Sequence, residues 1–140
     1  MGAAMTNPLI RNALAVGAGL VAAMIAMAIV QTIGDAVLPS PPDLAGMEDP
    51  AQAMDLVPVE ARIAVALAWF LGALAGACAA IAISRRVLPA WIVGLLIALL
   101  GVWSTRMVPH PDWLLAASAV LPLVAVLVAK RLMIRRIVAV

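Results

Sequence analysis

The chain has 140 residues, 66% of them hydrophobic and only 11% charged, with a mean hydropathy of +1.17. A soluble domain carries about 25% charged and roughly 45–50% apolar residues, and one this short keeps much of its surface exposed, so a water-soluble fold is excluded. A formal charge of +2 is too small to argue for nucleic acid, and a single cysteine, Cys78, leaves no disulfide or thiolate metal framework.

A membrane-crossing helix needs about 20 largely apolar residues to traverse roughly 30 Å of hydrocarbon. Four gaps between charges meet that need: 12–34, 63–84, 87–105 and 113–129. The last is short, but Lys130 and Arg131 can snorkel to lengthen it. The expected spans are therefore about 12–36, 60–84, 88–106 and 112–132, in one domain covering 1–140. The first apolar run exceeds the 7–15 residues of a signal-peptide core and is expected to stay as an anchor. Met1-Gly2-Ala3-Ala4-Met5-Thr6 fits a myristoylation pattern, which would add little to four spans.

The stretch 39–59 is the one sizeable loop. Pro39-Ser40-Pro41-Pro42 should be extended and stiff. Asp49-Pro50 reads as an N-cap followed by proline at the first helical position. Residues 51–57, stopped by Pro58, then predict a short interfacial helix turning Met47, Met54 and Val57 to the membrane surface. The later connections, Ser84 to Pro89 and Met107 to Pro111, are short and make antiparallel neighbours of the helices they join. In Pro109-His110-Pro111-Asp112-Trp113 the prolines end one helix and Asp112 is placed to cap the next. Pro122 removes a backbone hydrogen bond inside the fourth span and predicts a kink. The fold class expected is an all-α, integral membrane four-helix bundle, up-down-up-down, with a short interfacial helix in its first outer loop.

Charge sets the expected orientation. Arg11, Arg85, Arg86, Lys130, Arg131, Arg135 and Arg136 fall in the three segments that share one side of the membrane. Only Arg62 and Arg106 fall on the other, which also receives all seven acids. The positive-inside rule then puts both termini in the cytoplasm. Trp91, Trp103 and Trp113 stand near span ends, where aromatic belts form, whereas Trp69 is deeper and should pack between helices.

Lipid gives helices little hydrophobic reason to associate, so close approach at small residues matters more. The second span has the clearest ridge, with Ala64, Ala68, Gly72, Gly76, Ala80 and Ser84 at every fourth position. Such a ridge faces the first or third span, or the same ridge in another copy. Rows Ala15, Gly19, Ala23 and Ala90, Gly94, Ala98 offer weaker counterparts. The eight methionines and Cys78 read as packing residues.

No ionisable residue lies at the centre of a span, where a charge costs about 2.5–3.5 kcal/mol even on a lenient scale. The polar candidates form a ring near the outer surface: Gln31 and Asp35 one turn apart, with Ser104, Thr105, Arg106 and His110 at similar depth. An Asp35–Arg106 pair is the simplest role for them, and no catalytic, cofactor or metal site emerges.

Ile33-Gly34, Pro39, Pro41-Pro42, Asp49-Pro50, Pro58, Ala68-Trp69, Gly72, Gly76, Val93-Gly94, Pro109-His110-Pro111, Trp113 and Leu121-Pro122 are short motifs spread over nearly the whole chain. In these the chain resembles a family of small four-span bacterial inner-membrane proteins with no assigned activity. The resemblance implies the four-span fold alone. Where members often carry an acidic residue and a histidine, this chain has Gln31 and Asp35. The function expected is non-enzymatic: a structural or accessory component that packs in the lipid bilayer with itself or a larger membrane complex. The alternative is a small permease or channel for an uncharged or lipophilic solute.

Overall fold

The computed structural model describes residues 7–38, 48–108 and 110–138, with Pro50, Ala51, Met54 and the stretch 135–138 described by backbone alone. Every element among them is helical: α1 (Pro8–Val37), α2 (Pro50–Asp55), α3 (Val59–Ser84), α4 (Leu88–Met107) and α5 (Asp112–Val138). All but α2 are long and apolar enough to cross a membrane. The extended reading of Pro39 to Pro42, the exposure of Met47 and Met54, the turn residue Pro109, the Met1–Thr6 pattern and the side chains of Arg135 and Arg136 lie outside what is described.

Caps, rather than charges, set the helix ends. Asn7 accepts a hydrogen bond from the Leu9 N–H at 2.9 Å and Pro8 follows, so α1 starts ahead of Arg11. Helix α2 starts at Pro50 and closes its first turn from the Ala53 N–H to the Asp49 carbonyl at 3.1 Å. Asp112 is the first residue of α5 rather than its cap, with the Leu114 N–H bonded to the Pro111 carbonyl instead. There its carboxylate favours the helix through the dipole at the N-terminus. Helix α5 also runs through the basic residues as far as Val138.

The α3–α4 turn is tight. Arg85 adopts the left-handed conformation at φ 55°, and its N–H bonds the Ile81 carbonyl at 2.8 Å. Glycine usually fills such a position. Fully buried Ser84 fastens the turn, donating to the Ala80 carbonyl at 2.7 Å and accepting from the Arg86 N–H at 3.1 Å.

Helix α3 is the centre of the packing, in contact with α1, α4 and α5, and half of its apolar window is buried. Helix α1 rests mainly against α3, touches α4 lightly, and has only 22% of its window buried. Helices α3 and α4 touch each other, and each also touches both α1 and α5. On α3, Ala68, Gly72, Gly76 and Ala80 are all buried, and Gly72 and Gly76 meet α1. A Cβ on Gly76 would stand 2.6 Å from the Gly19 carbonyl oxygen, and one on Gly19 would stand 2.8 Å from the Gly76 carbonyl oxygen. Val93 of α4 closes on the same point, 2.9 Å from that Gly19 Cβ position. Further along, Gly34 faces Ala64, so the α1–α3 contacts run in opposite directions along the two helices.

The α4–α5 seam uses the same device. Gly94 packs on Val126 and the Pro122 carbonyl, and Gly101 packs on Ser118. Pro122 leaves the Ser118 carbonyl without its usual helical donor. That oxygen lies 3.3 Å from where a Gly101 Cβ would be, so the glycine lets α4 come close to this stretch of α5 backbone.

Gly76→Ala should weaken the folded state by about 1–3 kcal/mol, because the methyl meets backbone and not a side chain that can swing away. Gly17→Ala, where a Cβ meets nothing within 4 Å, should be neutral or stabilising by up to about 1 kcal/mol through helix propensity. Unfolding titrations in mixed micelles read both; equal effects would contradict the packing.

Candidate functional site

Two hollows adjoin the end of α1. Gln31 and Asp35 are exposed and one turn apart. With Gly34, Leu38, Ala61 and Val65 they line a recess of about 40 Å³ between α1 and α3. Gln31 also edges a larger cleft of about 320 Å³ between α1, α3 and α4. Met24 and Met27 continue its α1 wall, Ile97, Leu100 and Ser104 form the α4 wall, and Trp69 of α3 stands between them. Trp69 is 7% exposed.

The cleft exists because α1 and α4 diverge. They meet at Gly19 and Val93, and it starts five residues further along α1, at Met24, and four further along α4, at Ile97. Each wall follows the three-to-four-residue spacing of one helix face and ends on a polar side chain, Gln31 on one and Ser104 on the other.

The remaining candidates are placed differently. Thr105 is 5% exposed, and its hydroxyl donates to the Gly101 and Val102 carbonyls, each at 3.0 Å. It is spent on its own helix. Arg106 is exposed, and no ion pair joins it to Asp35 among the described residues. His110 keeps Nδ1 2.7 Å from the Val108 carbonyl oxygen and serves the α4–α5 turn. So the structure joins Gln31 to Asp35 in the recess and to Ser104 across the cleft. Thr105, Arg106 and His110 line neither of these two hollows.

No trio of His, Cys, Asp or Glu able to hold a metal ion occurs among the described residues. What the cleft offers is an apolar slot with two neutral hydrogen-bonding groups at one end. Sequence reasoning named Gln31 and Ser104 but missed the wall of Met24, Met27, Trp69, Ile97 and Leu100. The two matched faces, 24-27-31 and 97-100-104, were the signal available.

Because Asp35 and Arg106 are not paired, Asp35→Ala and Arg106→Ala should combine additively within about 0.5 kcal/mol in a double-mutant cycle of unfolding free energy. A coupling well above that would restore the ion pair. Comparison with known protein families, curated proteins and solved structures gives no match.

Proposed function

We propose that this chain is a multi-pass protein of the bacterial inner membrane that acts without catalysis, as an accessory component associating laterally with itself or a larger membrane complex. Its spans run up-down-up-down, both termini are cytoplasmic, and α2 lies along the outer face. The seven-to-two split of basic residues supports that orientation. The Pro50 start and six-residue length of α2, joined to α3 through Pro58, suit a short segment at an interface.

The observation that carries lateral association is the outward face of α1. Leu14, Val21, Ile25 and Ile29 are more than half exposed there, and Ala13 and Gly17 form an open small-residue notch one turn apart. Small residues at that spacing let a second membrane helix approach closely. The notch is separate from the α3 ridge, which is already occupied by α1.

A second reading, a small permease for an uncharged or lipophilic solute, is favoured by the cleft between α1 and α4 alone. Liposome flux reduced by Gln31→Ala would support it.

Mild-detergent pull-down with mass spectrometry tests association. Gly17→Ile should abolish recovery of the companion, or of a second tagged copy, while leaving the unfolding temperature unchanged. A strictly monomeric, companion-free protein would count heavily against the reading. Orientation is checked separately in a Cys78→Ala background. Gln52→Cys should react with an impermeant maleimide added outside the inner membrane, and Arg86→Cys only after permeabilisation. The reverse pattern would invert the topology.

A further inference from the structure

We propose that the cleft between α1, α3 and α4 holds one acyl chain of a bilayer glycerolipid, with the ester carbonyls hydrogen-bonded to Gln31 and Ser104. This does not rest on lateral association, which uses another face of α1.

Depth is the first argument. Gln31 lies 20 residues beyond Arg11 and Ser104 lies 18 beyond Arg86. At about 1.5 Å per residue those separations are about 30 Å and 27 Å, close to the thickness of bilayer hydrocarbon. Both polar groups therefore stand at the boundary opposite the cationic end, where the ester groups of a lipid lie. Met24 and Ile97 sit seven residues deeper, about 10 Å into the leaflet. The slot has the polarity of a lipid: polar at the lip, apolar below.

Hydrogen bonding is the second. Thr32, Ser84, Thr105 and Ser118 each donate to a carbonyl of their own helix. Among the described residues Ser104 is the hydroxyl that does not, and the Gln31 amide has no protein partner either. As both residues are exposed, their polar groups are open to a partner from outside the protein. Both side chains are donors, and ester carbonyls are acceptors.

Size is the third. A cleft of about 320 Å³ is at the lower end of ligand pockets, roughly 300–1,000 Å³. One flexible chain fits, and the methionines on the α1 wall can adapt to it.

Trp69 reports occupancy. In a chain where Trp91, Trp103 and Trp113 are replaced by Phe, it is the sole tryptophan, and the protein screens it from bulk lipid. In vesicles of phosphatidylcholine brominated within the acyl chain, Trp69 emission should be lost relative to unbrominated vesicles. Ala28 also lines the cleft, so Ala28→Phe, which fills it, should restore emission, and Gln31→Leu with Ser104→Ala should restore part of it. Retained helical circular dichroism and unfolding temperature show that each variant is folded. A companion chain with Trp103 as sole tryptophan, 65% exposed, must be quenched. The proposal is overturned if Trp69 keeps its emission while Trp103 loses it. Equal quenching of Trp69 with and without Ala28→Phe also overturns it. So does quenching by a free brominated alkane but not by the phospholipid, which would assign the slot to a lipophilic solute.

Discussion

The crossing of α1 over α3 at Gly19 and Gly76 is the constraint on which the rest of the bundle depends. Each residue presents its bare backbone to the other's carbonyl, and Val93 of α4 fills the remaining side. In water such a contact would be minor beside the hydrophobic effect. In lipid, where tails are as apolar as leucine, close van der Waals contact and weak Cα–H donors are much of what holds helices together. Three helices are thus pinned at one level, and their other features follow from how they leave that point.

From it, α1 and α4 separate toward the end that carries α2, and the cleft fills the gap. The same geometry explains why α1 is peripheral. Pinned to α3 at one ridge, it turns its Leu14, Val21 and Ile25 side away from the chain. On the other flank, α4 and α5 are held by Gly94 and Gly101 against Pro122 and Ser118. The glycines let α4 lie close to the stretch of α5 where Pro122 interrupts the ladder.

Much of the fold is legible in the sequence, because charge gaps and small-residue periodicity both carry physical information. The four long apolar helices were readable from the spacing of Arg and Asp. Their ends were less so, since charges mark where the membrane begins while Asn7, Pro8 and Pro111 mark where a helix can begin. The α3 row from Ala68 to Ala80 was visible as a ridge, but its mate was not. Ala15, Gly19 and Ala23 look no more specific than the other alanine rows of α1 until α3 is laid against them. The cleft was harder still. Its Met, Ile and Leu walls have the composition of any lipid-facing surface, and only the tertiary divergence of α1 and α4 makes them face each other. Of the polar residues grouped by depth, Gln31 and Asp35 line one hollow and Gln31 and Ser104 the other, a pairing that helix rotation decides and depth alone does not.

Arg85 combines two demands that compete at a single backbone position. A left-handed residue closing a helix is ordinarily glycine, because a side chain there strains the chain. Here the residue is arginine, in a turn whose cations bias how the polypeptide threads through the membrane. Replacing it by glycine would relax the bend yet remove one vote for orientation. On the orientation proposed above, the α3–α4 corner gives up some local conformational ease and keeps a charge that favours that orientation.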